Sequence, residues 1–576
     1  MNYARQLPFG ATLLDANRVR FRLWAPKQQG VELILGDDAV PMHRDDDGWF
    51  QVEAQCGPGA RYRYRLGSGE TIPDPAARAQ LGGVHGESIV VDPASYAWHH
   101  SDWRGRPWHE TILYELHPGL FGGFEGIQGE LRRLAGLGIT AIELMPIADF
   151  PGKRNWGYDG VLQFAPACCY GTPDDLKALI DAAHGLGVMV FLDVVYNHFG
   201  PDGSYLGAYA PAFFRDDVAT PWGAAIDFRR PEVRRFFIEN ALMWLMEYRF
   251  DGLRFDAVHA IAEQDWLVEI ADEVRRTVEP GRHVHLVLEN DANSAALLRP
   301  GVFDAQWNDD AHHALHVLLT GETEGYYVDY AQHPADRLAR CLAEGFDYQG
   351  EVSVHRGGQP RGEASGELPT TAFVLYVQNH DQVGNRPFGD RLVTRVDGEA
   401  LRAAVALQLL CPHIPLIFMG EELGARMPFQ YFTDHHGALA TAVREGRRRE
   451  FAAIAHVAES EIPDPNDEQT FERCRLSNGS PDAEWVGYYR RLLRLRNEVI
   501  VPRLPGMASL GAGTLSHAAI LARWQTESGK ALSIATNLGS EPCVLPGIAG
   551  DLLFASRSGA QPGRLAARCT VAFLER

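Results

Sequence analysis

The chain of 576 residues is too long for one hydrophobic core, because a single core rarely serves more than about 250 to 300 residues, so we expect two or three domains. Its formal net charge of −21 argues against a nucleic-acid partner, which requires a basic surface. The first residues lack the apolar core of a signal peptide, and no run of about 18 apolar residues could span a membrane. We therefore predict a cytoplasmic protein with neither a membrane nor a nucleic-acid partner.

The eight cysteines are scattered and form no CxxC pair, and no histidine accompanies them at zinc spacing. We interpret them as reduced, mostly buried thiols, including the adjacent Cys168 and Cys169, because neighbouring cysteines rarely form a disulfide. The sequence contains no phosphate-binding loop and no dinucleotide fingerprint. It therefore predicts no metal and no cofactor.

Residues 1–105 alternate between apolar and polar side chains, as half-buried antiparallel strands do. Val19, Phe21 and Leu23 are separated by arginines, and so are Tyr62 and Tyr64. Glycine-containing and proline-containing turns lie between the alternating segments. We predict an N-terminal immunoglobulin-like β-sandwich.

Residues 106–490 show the pattern of parallel βα units, in which short apolar runs alternate with amphipathic helical segments. The runs are rich in Val, Ile, Leu and Phe, which suits strands covered on both faces. They comprise residues 112–117, 141–146, 189–196, 252–256, 285–289, 304–307, 373–379 and 415–420. Eight units predict a closed (β/α)8 TIM barrel, and because this segment exceeds the usual length of about 250 residues, several βα loops must be large insertions.

Two of the helices between the runs have clear start signals. Thr172 offers an N-cap, followed by Pro173 and two acidic residues. Residues 232–249 carry one apolar stripe at helical spacing.

After about residue 490 the helical periodicity fades, and short alternating runs return at residues 518–524, 531–536 and 570–574. We predict a small C-terminal β domain over residues 491–576.

Four of the apolar runs end in acidic or imidazole-bearing residues, and in a (β/α)8 barrel all of these ends meet at the face that holds the active site. Asp256 and Glu289 end neighbouring strands, about 5 Å apart in one sheet, so both carboxyl groups can flank one glycosidic bond. This spacing favours a retaining hydrolase. For any one residue alone, a helix N-cap or a loop salt bridge is the simpler explanation, but the whole set favours catalysis.

Asp256 is the better nucleophile of the pair. Arg254, two residues earlier, points to the same face of the strand, and we expect it to keep the Asp256 carboxylate ionised. Glu289 would then be the protonated acid. His198 and His380 each follow an asparagine at a strand end, where contacts with sugar hydroxyls and ordinary core positions are both plausible; we favour ligand contact.

Four segments resemble the conserved regions of the α-amylase family, glycoside hydrolase family 13. They are Asp193-Val-Val-Tyr-Asn-His198, Gly252-Leu-Arg-Phe-Asp256, Glu289 and Asn379-His-Asp381. The resemblance implies an α-glucosidic substrate, with Asp256 as nucleophile, Glu289 as proton donor and Asp381 as stabiliser of the transition state. It also implies a substrate-binding set that contains Tyr158, Asp193, His198, Arg254, His259, Asn379, His380 and Gln382.

Further segments are similar to one group in that family, the maltooligosyltrehalose trehalohydrolases. They include residues 155–160, 220–228, 306–316, 378–386, 432–435 and 443–450. The reaction implied is hydrolysis of the α-1,4 bond next to the terminal trehalose of maltooligosyltrehalose, with functional coupling to a maltooligosyltrehalose synthase. The N-terminal domain looks like the carbohydrate-binding modules of branching and debranching enzymes.

The polar segment after the sixth apolar run is a candidate site for the trehalose end. It contains Asn308, Asp309, Asp310, His312 and His313. A helix N-terminus in solvent is the alternative explanation, and the resemblance favours the substrate. Trp222 and Trp307 are candidates for stacking on glucose rings, although tryptophan is more often a core residue.

Two other functions fit the same residues. A 1,4-α-glucan branching enzyme would use the same carboxylates but transfer the glucan to another chain. A barrel that binds glucan without catalysis is a second alternative, because folds are reused without their chemistry. The presence of all three carboxylates argues against the second alternative.

Overall fold

The computed structural model describes residues 3–455, 461–557 and 563–575. In chain order it contains an N-terminal pair of β-sheets, a closed barrel of parallel strands, and a C-terminal β-sheet. No helix in these ranges is long and apolar enough to cross a membrane. The predicted architecture is confirmed.

The N-terminal region is a β-sandwich. One sheet contains Gly10–Asp15, Arg18–Trp24, Trp49–Gln55 and His43–Arg44, and the other contains Asp38–Pro41, Val31–Leu35, Arg61–Leu66, Glu87–Ile89 and Gln80–Leu81, with Thr71–Ile72 paired to Arg61–Leu66. The predicted alternation is visible in the buried side chains of Val19, Phe21, Tyr62 and Tyr64. Phe21 meets Tyr62 across the sandwich, with ring centroids 4.8 Å apart.

Eight parallel strands close the barrel in chain order, as predicted from the eight apolar runs. They are β1 (Leu113–Leu116), β2 (Ala141–Leu144), β3 (Met189–Val194), β4 (Gly252–Phe255), β5 (His285–Leu288), β6 (Ala305–Trp307), β7 (Phe373–Leu375) and β8 (Ile414–Phe418). β4 and β5 are hydrogen-bonded neighbours. Asp256 and Glu289 therefore follow adjacent strands.

Helices cover the outside of the barrel. The longer ones are α1 (Gly123–Leu137), α2 (Pro173–Gly185), α3 (Pro231–Met246), α4 (Asp265–Thr277), α5 (Asp309–Thr320), α6 (Pro334–Glu344), α7 (Gly398–Leu410), α8 (Gly437–Ala455) and α9 (Ala483–Leu495). The predicted N-cap at Thr172 forms a reciprocal capping box with Asp175. α9 crosses the boundary predicted at residue 490, and that domain boundary stays a prediction.

The connections after β2 and β3 and the connection between α6 and β7 each carry a short hairpin, in keeping with the excess length of the barrel segment. Ala148–Asp149 pairs with Leu162–Pro166 after β2, Phe214–Thr220 pairs with Gly223–Ile226 after β3, and Glu351–Ser353 pairs with Gln359–Arg361 after α6.

The C-terminal sheet has the order Ala508–Ser516, Ala519–Gln525, Ala531–Asn537, Cys569–Leu574 and Asp551–Ala555. It contacts α6 and α7, and the Trp524 indole donates a hydrogen bond to the Leu342 carbonyl.

A buried ion pair joins the N-terminal sandwich to the barrel. Arg78 donates from Nε and Nη2 to the two carboxylate oxygens of Glu247 at 3.0 and 2.7 Å, and both side chains are at most 5% exposed. Glu247 also accepts a hydrogen bond from the backbone N–H of Arg5. The contact fixes the sandwich on one side of the barrel, away from the strand ends that carry the carboxylates.

Replacing Arg78 by methionine should lower the free energy of unfolding by about 3 to 5 kcal/mol, because Glu247 would remain buried without its cation. Arg18 and Glu53 provide a matched control, since their side chains pair at 3.5 Å but are 48% and 46% exposed. We expect Arg18→Met to change stability by less than about 1 kcal/mol. Urea unfolding of both variants measures the difference, and equal losses would show that the buried pair has no special role.

Candidate active site

A pocket of about 380 Å³ opens at the carboxyl-terminal ends of the barrel strands. Seven of the predicted site residues line it: Tyr158, His198, Arg254, Asp256, Glu289, His380 and Asp381. The topology explains the convergence, because parallel strands of one barrel end at the same face. The structure therefore brings the three proposed catalytic carboxylates into one cavity. Among the described residues, no group of three or more His, Cys, Asp or Glu side chains is arranged to hold a metal ion.

The Arg254 guanidinium connects the acidic residues of the pocket. Its Nη1 donates to Asp193 at 2.7 Å and to Asp256 at 2.8 Å, and its Nη2 donates to Glu289 at 2.6 Å. Arg254 is 1% exposed, and its guanidinium lies 4.2 Å from the centre of the buried Trp307 ring. The predicted contact between Arg254 and Asp256 is present. Trp307 is buried and packs against the guanidinium, so it is not an exposed platform for a sugar ring.

The pKa of Asp256 runs against the expectation that Arg254 keeps this carboxylate ionised. Burial and the nearby Glu289 and Asp193 carboxylates raise the pKa of Asp256 well above its ordinary range, and Arg254 only partly offsets this. The pKa of Glu289 is lowered, because Arg254 and the backbone N–H of Ala257 both donate to its Oε2. These opposite shifts favour the proton of the pair on Asp256 rather than on Glu289.

His380 and Tyr158 form the wall opposite this pair. The Tyr158 hydroxyl donates to Asp193 at 2.7 Å and is also 2.8 Å from His380 Nε2, and the two rings are stacked. Asp381, the next residue, accepts a hydrogen bond from Asn385 at 2.6 Å. Burial raises the pKa of Asp381, and the charge of His380 opposes that shift. Asn379 caps the short helix His380–Gly384 by accepting from the Gln382 N–H.

Trp222 is the exposed aromatic residue at the rim. It lies in the turn of the hairpin after β3, is 44% exposed, and stacks on His198 with ring centroids 5.6 Å apart. His198 is fixed by hydrogen bonds to the Asn197 side chain and the Tyr158 carbonyl. Burial lowers the pKa of His198. The two rings form a flat, partly apolar surface suited to a sugar ring.

Asn308 and Asp310 do not line the pocket. The contacts that they make within the protein contradict the predicted contact with substrate. Asn308 caps α5 and donates to the Gly345 carbonyl, and Asp310 pairs with Arg361 at 2.8 Å and accepts backbone N–H groups of residues 347 and 348. Both are fully buried. Their side chains are occupied by the protein, so they order the loop beside the site.

The other predicted residues lie around the pocket rather than on its floor. His312 and His313 are buried and stack on Tyr376 and Tyr326, and burial lowers the pKa of both imidazoles. Asp309 accepts a hydrogen bond from the Tyr376 hydroxyl, and burial raises its pKa to about 7. Gln382 accepts a hydrogen bond from the Tyr326 hydroxyl. His259 is exposed and lies beside Asp291. Their roles in binding stay predictions.

Several pocket residues were not among the predicted site residues, among them the polar residues Asp159, Tyr431, Arg447 and Glu450. Asp159 follows Tyr158 directly and accepts from Asn155, so the segment 155–160 carried a signal for it. Arg447 and Glu450 lie on α8, within the charged segment 443–450, and Arg447 donates to the Gly384 carbonyl. Nothing in the helical pattern shows that α8 approaches the barrel mouth.

Comparisons with known proteins agree with this architecture. The pattern of the "Alpha amylase, catalytic domain" matches residues 88–209, and that of "Carbohydrate-binding module 48 (Isoamylase N-terminal domain)" matches residues 8–94. A "Domain of unknown function" matches residues 508–573. The first two patterns agree with the resemblance inferred from the strand-end motifs and from the N-terminal strands.

Curated relatives decide the family. Malto-oligosyltrehalose trehalohydrolase from Deinococcus radiodurans is 43% identical over 504 residues, which is 85% of this chain and 83% of that protein. The enzyme of the same name from Saccharolobus solfataricus is 41% identical over 502 residues, 84% of this chain and 86% of that protein. The chain belongs to the malto-oligosyltrehalose trehalohydrolase family. It is therefore a glycoside hydrolase of the α-amylase family.

A solved structure and a branching enzyme also match the chain. A crystal structure from Salmonella typhimurium, described as a candidate alpha amylase, is 45% identical with a TM-score of 0.95 and covers 99% of this chain and 100% of that one. The 1,4-alpha-glucan branching enzyme of Photobacterium profundum is 34% identical over only 45% of this chain and 41% of its own length. The trehalohydrolase family is thus favoured over the branching enzymes.

Trp222→Ala should weaken glucan binding at least about tenfold, because it removes an aromatic surface at the rim, and stacking contacts of this kind contribute roughly 0.5 to 1.5 kcal/mol beyond the area they bury. Stability should be unchanged, since the side chain is largely exposed. Fluorescence titration of catalytically inactive protein with a maltooligosaccharide measures the affinity. Val352→Ala is a suitable control, because Val352 is 62% exposed and does not line the pocket; equal effects of the two variants would contradict a specific role for Trp222.

Proposed function

We propose that this chain hydrolyses the α-1,4-glucosidic bond next to the terminal trehalose of maltooligosyltrehalose and releases trehalose and a maltooligosaccharide. The proposal is carried by one observation, the placement of Asp256 and Glu289 on neighbouring strands within reach of one guanidinium. That placement favours the carboxyl separation of about 5 to 5.5 Å found in retaining enzymes. The specificity for a trehalose end is supported by the names of the relatives that match most of the chain.

In the first step the Asp256 carboxylate attacks the anomeric carbon of the maltooligosyl unit. The bond from that carbon to the trehalose oxygen breaks, and Glu289 gives its proton to the departing oxygen. Asp381 and Arg254 lie in the same cavity, where their charges act on the oxocarbenium-like transition state. The products of this step are a covalent glycosyl-enzyme and free trehalose.

The proton must first move from Asp256 to Glu289. Glu289 accepts hydrogen bonds from Arg254 and from the Ala257 N–H, which favours its ionised form. A glycosidic oxygen beside Glu289 would turn the carboxyl group away from these two donors and raise its pKa. Arg254 would then act on Asp256 and Asp193 alone, which favours the ionised nucleophile.

In the second step water attacks the glycosyl-enzyme. Glu289, now a carboxylate, takes one proton from the water. The water oxygen forms the new bond to the anomeric carbon while the ester bond to Asp256 breaks. Two inversions leave the maltooligosaccharide in the α configuration. Asp256 returns as a carboxylate and Glu289 returns protonated, so the cycle balances.

The remaining parts of the proposal concern recognition and context. Tyr158, His198 and Trp222 would hold the sugar rings, and the N-terminal sandwich would contribute to glucan binding, since its sequence matches a carbohydrate-binding module. The substrate must be made by an enzyme that forms a trehalose end, and we propose functional coupling to a maltooligosyltrehalose synthase. The cytoplasmic location and the bounds of the three domains remain predictions of the same kind.

Purified enzyme should release trehalose from maltooligosyltrehalose and turn over plain maltooligosaccharide much more slowly. Asp256→Ala should reduce the rate by about 10⁴-fold or more, because no nucleophile remains. Chromatography identifies the products, and NMR of the first turnovers should show the α anomer of the maltooligosaccharide. Longer branched glucans without trehalose would make the chain a branching enzyme, and binding without any turnover would make it a glucan-binding protein.

The pH profile should report the single proton of the carboxyl pair. We expect kcat/KM to be bell-shaped, with activity lost at low pH when both carboxyl groups are protonated and at high pH when neither is. The alkaline limb should lie well above the ordinary range of a carboxyl group, because burial and mutual repulsion raise the pKa of Asp256. With an α-maltosyl fluoride, whose leaving group needs no proton, the alkaline limb should disappear; its persistence would show that it does not report the general acid.

A further inference from the structure

Two glutamates lie side by side in the barrel interior beneath the pocket. Glu115 on β1 and Glu143 on β2 are register partners, and each is 1% exposed. They point inward, because Leu113 and Ala141, two residues earlier on each strand, belong to the buried cluster that fills the barrel. The two carboxyl groups share depth, strand level and residue type but differ in their hydrogen-bond partners.

Glu115 is fully engaged with His380. Its Oε2 accepts the backbone N–H of His380 at 3.0 Å, and its Oε1 lies 2.5 Å from Nδ1 of the same residue. By contrast, within the described part of the chain neither carboxyl oxygen of Glu143 has a hydrogen-bond partner. A buried carboxylate without donors is strongly disfavoured, so Glu143 holds a proton and is neutral.

The direction of each hydrogen bond above Glu115 follows from donor counting. Asp193 receives two contacts from Arg254 and is an acceptor, so the single O–H of Tyr158 donates to it. The Tyr158 oxygen must then accept from Nε2–H of His380, which is 2.8 Å away. Nε2 therefore carries a proton, and Nδ1 faces a carboxylate that already accepts the backbone N–H.

We propose that Glu115 is a positioning residue that holds His380 as a doubly protonated imidazolium, so that a fixed positive charge faces Asp381 in the wall of the pocket. Glu115 does not reach the pocket itself and acts through His380. The charge stabilises the ionised form of Asp381, the third carboxylate of the site. The inference deepens the proposed hydrolysis, on which its kinetic test rests.

The surroundings of His380 support a cation. The charged and titratable groups that face it are Glu115 from β1, His117 just after β1, Tyr158 from the loop after β2, Asp193 from β3, Arg254 from β4, and Asp381 from its own helix. The carboxyl groups of Glu115, Asp193 and Asp381 outnumber the single guanidinium of Arg254. Burial lowers the pKa of His117 to about 4, so His117 stays neutral and adds no positive charge. The pKa of His380 is raised, with Glu115 as the largest favourable cause.

The direct test is histidine NMR, which needs no turnover. Protein labelled with ¹⁵N-histidine is measured at pH 7.5, and the His380 signals are assigned by their loss in His380→Gln. Both ring nitrogens of His380 should show protonated shifts in the wild type. In Glu115→Gln, which keeps the shape and removes the charge, they should show a neutral ring. A neutral His380 in the wild type would overturn the proposal, whatever the variants do.

Glu143→Gln is the matched control, because it makes the same chemical change at the partner position on the next strand. Since Glu143 is already neutral, this variant should leave the His380 signals and kcat unchanged. Thermal unfolding of both variants shows whether each is folded. A loss of the imidazolium signal in Glu143→Gln equal to that in Glu115→Gln would contradict a role specific to Glu115.

The kinetic test separates positioning from simple structural support. At neutral pH, Glu115→Gln should lower kcat on maltooligosyltrehalose by about 10²-fold, as loss of one preorganised charge contact does. The ratio of variant to wild-type kcat should rise as pH falls towards 5, because solvent then protonates His380. A ratio independent of pH would overturn the proposal. Failure of the wild type to release trehalose would instead count against the proposed function and leave the NMR result valid.

Discussion

The guanidinium of Arg254 contacts Asp193, Asp256 and Glu289 inside the barrel, at a depth where charges are expensive to bury. One cation cannot neutralise three carboxylates, and the mutual repulsion of the carboxylates is strong where water is excluded. Burial and this repulsion favour one proton on the Asp256 and Glu289 pair. A retaining glycosidase needs this state at neutral pH, with one carboxyl group ionised and the other protonated. The ion cluster therefore favours a singly protonated pair, and in the proposed mechanism the bound substrate moves that proton to Glu289.

Arg254 can hold this position because the barrel around it is packed and rigid. The Trp307 ring on β6 lies against its guanidinium, and Phe191 and Val287 fill the layer below. The sandwich and the C-terminal sheet contact the outside of the barrel and leave the ends of its strands open. Short hairpins in the βα loops form part of the rim, where Trp222 is exposed. The rigid floor holds the residues proposed for the chemistry, and the loops of the rim are placed to recognise a particular sugar.

The fold and the convergence of the three candidate catalytic carboxylates could be predicted from the sequence, because periodicity and strand order decide both. A period of two fixes which side chains enter the barrel, and adjacent strands place Asp256 beside Glu289. The position of the proton could not be predicted, since it depends on the Ala257 N–H and on Asp193, which are distant from Glu289 in the chain. Arg447 was missed for a similar reason, because the path of α8 across the barrel mouth is a tertiary feature.

The substrate-binding residues show the opposite error. Asn308 and Asp310 follow a strand end just as Asp256 and Glu289 do, yet they cap α5 and tie down the neighbouring loop. Position at a strand end thus places a polar residue near the site without deciding whether its side chain faces the cavity or the protein. Glu115 and Glu143 extend this point into the barrel. They occupy equivalent positions on adjacent strands, but one has an imidazole and a backbone N–H as donors and the other has none. The state of a buried carboxyl group is therefore decided by the donors that the fold supplies, and sequence alone names the residue but not its charge.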